Sequence, residues 1–94
     1  MVKENKMGKK LMSENAEHIT LYLNKKDEKP TLEECQEFVG GYIEIIPSKD
    51  GKKQIIVDEE GMLKGKPVNE DATEEFGMLL VGDIMVLSGE ARLN

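Results

Sequence analysis

The sequence predicts a small α+β domain, a short antiparallel sheet accompanied by two brief helices. Three observations predict it. Apolar residues alternate with period two in separate short segments. Two helix-start signatures are each closed by glycine. The chain has 94 residues, enough for one domain and not two.

The elements follow in order. Residues 1–16 are polar and basic without strong periodicity, and they read as a flexible tail ahead of one α+β domain over 17–94. In 18–23, Ile19, Leu21 and Leu23 fall on one face and His18, Thr20 and Tyr22 on the other, which is a strand pattern. Thr31 is an N-cap candidate, and Glu34 three residues on completes a capping box. Leu32, Cys35, Phe38 and Val39 then mark one face of a helix over 32–39, which Gly40-Gly41 stops. Tyr42 to Ile46 forms the next strand, with Ile43 and Ile45 facing one way and Tyr42, Glu44 and Ile46 the other. Ser48 to Gly51 is a turn, and 53–58 is the returning strand of a central hairpin spanning 42–58. Residues 62–64 read as a short strand end. Asn69 caps a second helix over 70–76, with Glu70 and Asp71 in its first turn and Gly77 as its stop. Residues 78–87 hold eight apolar residues in ten, broken by Gly82-Asp83. They read as two short strands or one bent strand, buried on both faces.

Composition narrows the functional classes. Aromatic residues make up 4% of the chain, so the core rests on Ile, Leu, Val and Met. Such a small domain is expected to gain from self-association. The formal net charge is −6, and it is unevenly spread. Residues 1–28 hold six Lys and five acids, whereas 29–94 hold seven basic and fourteen acidic residues. A domain with that excess repels a phosphate backbone, so duplex nucleic acid is not an expected partner. Cys35 is the one cysteine, so there is no internal disulfide and no thiolate metal cluster. No apolar run reaches the roughly 20 residues needed to span a bilayer. Cytoplasm is the expected location, and neither a metal nor a cofactor is expected.

Candidate sites are few. His18 reads as a surface strand residue and Cys35 as a buried structural thiol. No set of acid–base groups, nucleophile or phosphate loop stands out, so the chain is not expected to be an enzyme. The most suggestive segment is 61–69, where Lys64 and Lys66 flank Gly65 just before a helix start. Backbone N–H groups and the positive end of a helix dipole receive anions at such a place, although Glu70 and Asp71 already satisfy that end. An ordinary loop with exposed lysines is the alternative. Tyr42 presents a ring that stacks on a base, or instead covers a core edge or a subunit contact.

Taken together, 30–34 (PTLEE), 39–44 (VGGYIE), 60–69 (EGMLKGKPVN) with Ala72-Thr73, and 81–83 (VGD) resemble an uncharacterised family of small proteins encoded by phages and large DNA viruses. The resemblance covers roughly 29–88. It implies no enzymatic activity, and it implies an accessory role in the host cytoplasm. Small phage proteins of this kind are similar in size and setting to anti-defence factors, among them nucleotide sponges. The expectation is therefore a homo-oligomer, dimer or tetramer, that sequesters a cyclic dinucleotide immune signal without hydrolysing it. Tyr42 would stack a base, Lys64, Gly65 and Lys66 would hold phosphates, and Asn69 and Thr73 would bond a base edge or ribose. The alternative, from the acidic balance, is an inhibitor that occupies a basic surface of a host protein.

Overall fold

In the computed structural model of the protein, residues 9–11 and 18–94 are described, with side chains from 18 onward. The fold is α+β. Five strands form one mixed sheet: β1 (Lys9–Leu11), β2 (Thr20–Leu23), β3 (Ile43–Pro47), β4 (Lys53–Asp58) and β5 (Ile84–Ser88). Two helices accompany it, α1 (Leu32–Val39) and α2 (Glu70–Phe76). Both helices match their predicted bounds, because capping chemistry sets both ends. Thr31 Oγ1 accepts the Glu34 N–H while Glu34 Oε1 accepts the Thr31 N–H, and Gly40 closes α1 at φ +85°. Asn69 Oδ1 accepts the Ala72 N–H, and Gly77 closes α2 at φ +67°.

The sheet order is β1-β2-β5-β4-β3. β3 and β4 form the expected hairpin, and β4 pairs antiparallel with β5. β2 and β5, however, are parallel, with Leu21 opposite Met85 and Leu23 opposite Leu87. The sheet is therefore mixed, which corrects the antiparallel expectation. The reason is long-range: β5 is inserted between two strands made much earlier, and no local turn signal encodes that pairing. β1 lies inside the segment read as a tail, pairing antiparallel with β2. The remainder of 1–17 lies outside the described residues.

Period-two alternation gives the sheet two different faces. Leu21, Leu23, Ile56, Met85 and Leu87 pack with Cys35 and Val39 of α1. Ile55, Val57, Ile84 and Val86 pack on the opposite side with Ala72 of α2 and Leu80. The helices thus cover opposite faces, and β5 is buried on both, which explains its nearly unbroken apolar sequence. Of the predicted run 78–87, only Ile84 to Leu87 behave so simply. Val81 makes an isolated bridge to Val68, Gly82 turns the chain at φ +77°, and Leu79 stays 56% exposed. Residues 62–64 form no strand. Bonds from Lys64 N–H to Glu60 O and from Lys66 N–H to Gly61 O coil that segment into a compact turn.

Candidate functional site

Lys64 and Lys66 converge on one carboxylate. Each Nζ lies 2.8 Å from Asp58 Oδ2, whose side chain is almost completely buried. Lys64 Nζ also donates to Gly40 O at 3.0 Å, and Lys66 Nζ donates to Val39 O. These carbonyls are at the C-terminus of α1, where acceptors lack partners within the helix and positive charge is favoured. Burial pushes the Asp58 carboxyl up, but hydrogen bonds from Lys64, Lys66 and the Glu60 N–H outweigh it and hold it well below the usual carboxylate range. Gly41 makes room for this lock. A Cβ there would stand 2.7 Å from Lys64 Nζ and 2.8 Å from Asp58 Oδ1.

The other predicted residues fall elsewhere. The carbonyl of Tyr42 accepts the Glu59 N–H, continuing the β3–β4 register, and its ring is 73% exposed. By strand alternation the ring belongs to the α2 side, whereas Asp58, opposite Ile43, belongs to the α1 side with both ammonium groups. The structure therefore does not bring Tyr42 and the lysines of this chain into one cradle. Asn69 is fully buried: its Nδ2 donates to Thr20 Oγ1 at 2.9 Å and Gly82 O at 3.1 Å. Thr73 Oγ1 donates to Leu80 O and accepts the Leu80 N–H. Both side chains hold the 78–82 segment against α2. Gly65, at φ +71°, has open space around it.

Two surfaces escaped sequence reasoning. One is an apolar cleft of about 150 Å³ between β3, β4 and the turn after β4. Ile46, Met62, Leu63, Leu79 and Val81 line it, with Glu44 and Glu59 at its edge. Met62 is 67% exposed and Leu63 87%. The turn reaches Val81 closely enough that a Cβ on Gly61 would meet its Cγ2 at 2.9 Å. The signal in the sequence is the adjacent Met62-Leu63 pair, which reads there as a short strand end. The second surface is a shallow cavity of about 370 Å³ where Lys26, Lys29 and Arg92 meet, with Glu90 the one acidic side chain among the described residues that line it. Those residues are far apart in sequence, so no local motif announces it.

Reactive chemistry is sparse. Cys35 is buried, and desolvation with the nearby Glu34 charge pushes its thiol up to about 11, which disfavours the nucleophilic thiolate. Burial and the hydrogen bond to Glu75 push the Tyr22 phenol up as well. Among the described residues, no group of three or more His, Cys, Asp or Glu side chains is placed to hold a metal ion, and no helix is long and apolar enough to cross a membrane.

Fold and surface together define a small α+β domain with an exposed apolar cleft and a cavity lined by cations. The chain belongs to the DUF3846 family, a domain of unknown function, whose model matches residues 11–92. The match includes β2 and begins at Leu11, the last residue of β1, both ahead of the stretch that carried the resemblance. No curated protein and no solved structure matches the sequence.

Proposed function

We propose that this protein is a non-catalytic binding module that occupies a basic surface of another protein. One observation carries the reading: every charged side chain on the two helices is acidic. These are Glu33, Glu34 and Glu37 on α1 and Glu70, Asp71, Glu74 and Glu75 on α2. The helices cover opposite faces of the sheet, so acidic surface is presented on both sides. The lock at Asp58 reinforces it, because two of the domain's few cations are engaged internally. Long-range steering by such a surface favours basic partners and weakens with salt.

The test is a pull-down from host lysate at low and high salt. Wild type is compared with a variant carrying Glu33, Glu37, Glu70 and Glu74 changed to Lys. The expected result is a partner retained at low salt by wild type alone. Partners indifferent to the charge reversal, or none at either salt, would end the reading.

Sequestration of a cyclic nucleotide is the second reading, and one observation supports it. The Lys26, Lys29 and Arg92 cavity gathers three cations that form no ion pair among the described residues, and phosphates are bound by such groups. The phosphate contacts then move away from Lys64 and Lys66. Calorimetry against cyclic di- and trinucleotides checks it, with heat expected from wild type and none from R92A/K29A. Absence of heat from wild type removes this reading.

A further inference from the structure

We infer that the cleft lined by Ile46, Met62, Leu63, Leu79 and Val81 seats an apolar side chain of a lysine- or arginine-rich helical segment of the partner protein. The inference rests on the basic-surface reading above and adds where the partner docks and what it inserts.

Solvated leucines are ordinary when isolated. Here Met62, Leu63 and Leu79, all more than half exposed, stand around one concavity. Contiguous exposed apolar surface rimmed by polar groups marks an interaction site. A cavity of about 150 Å³ holds one or two aliphatic side chains and is too small for a nucleotide. Its floor is fixed, since Leu80 and Val57 beneath it are core residues. The pocket is therefore preformed, which lowers the ordering cost of binding.

Charge selects the occupant. Glu44 and Glu59 stand at the cleft edge, and the exposed Glu60 is next along the turn. A second copy docked face to face would set this acidic rim against its own kind. A segment with Lys or Arg beside its apolar anchor meets it with opposite charge. The neighbouring sheet edge argues for side-chain docking over strand addition. Tyr42 O and Ser48 N–H bond inward to β4, so by alternation Ile43, Ile45 and Pro47 face outward. Pro47 has no N–H, which leaves that edge two donors and makes it a poor template for another strand.

The experiment titrates labelled helical peptides into the full chain and reads fluorescence anisotropy at low salt. The probes are an amphipathic peptide of Leu and Lys, the same peptide with Leu replaced by Ala, and the same with Lys replaced by Glu. Tightest binding is expected for the Leu–Lys peptide, with either replacement weakening it at least about tenfold, equivalent to about 1.4 kcal/mol. Leu63→Glu and Leu79→Glu each impose a similar loss with an unchanged melting temperature, since both side chains are exposed. Equal affinity for the Leu and Ala peptides, or Leu63→Glu and Leu79→Glu variants that bind like wild type, overturns cleft docking while leaving the basic-surface reading in place. No binding by either cationic peptide removes both. A wild-type dimer by light scattering that L63E converts to monomer overturns the inference in favour of a second copy.

Discussion

The two helices are fastened to the sheet by different chemistry. At α1 the fastening is ionic: Lys64 and Lys66 bridge the helix's last carbonyls to Asp58 at the end of β4. At α2 it is neutral: the Asn69 amide ties the helix start to Thr20 and Gly82 from inside the core. Both satisfy polar groups that a helix end leaves open. The ionic fastening is partly open to solvent and depends on protonation, whereas the neutral one is dry and does not. One sheet thus carries a junction responsive to its surroundings and a junction that is not.

Four measurements break or sharpen that contrast. The largest effect is expected from Asn69→Ala, which removes the cap and strands Thr20, Gly82 and Ala72 polar groups in the interior. A loss of about 3 kcal/mol follows at roughly 1 kcal/mol per bond, read by urea unfolding. Next is K64M/K66M, which leaves Asp58 buried without its cations. Removing one side of a buried pair costs about 3–5 kcal/mol, and partial exposure of the lysines reduces this to about 2 kcal/mol.

The pH dependence separates the two junctions further. The folded-state pKa of Asp58 is below its ordinary value of 3.8, so its contribution is fully present above that value. It declines as pH falls below 3.8 toward the depressed folded value. Acid titration of stability should show this slope in wild type and in N69A, and lose it in D58N. An unaltered slope in D58N would show that the lysine–aspartate junction is energetically silent. Smallest is Tyr42→Ala, expected within about 0.5 kcal/mol of wild type because the ring is solvated. A larger loss would show that the ring belongs to the fold.

Some of this architecture was written locally and some was not. Both helices were legible because Thr31, Glu34, Gly40, Asn69 and Gly77 act within a few residues of one another. The hairpin was legible through Ser48 to Gly51 and the alternation on either side. The parallel pairing of β2 with β5 was not, because 60 or so residues separate partners whose side chains carry no register label. The candidate site was less legible still. Lys64 and Lys66 looked like free cations because Asp58 is close in sequence but commonplace in so acidic a chain. Asn69 was correctly read as a cap, yet a cap that is also buried has no amide left for a ligand. Tyr42 and the lysines are separated by the pleat itself, which sends neighbouring positions to opposite sides.

The placement of β5 has a consequence for biosynthesis. It is the sheet's middle strand, and it is the last of the five to be made. While a ribosome is still adding residues before 84, β2 and the β3–β4 hairpin have no shared neighbour to pair with. Each apolar face waits without its partner. Completion of the domain must therefore await emergence of β5, and a chain cut before that strand should yield two unjoined halves in place of a smaller stable fold.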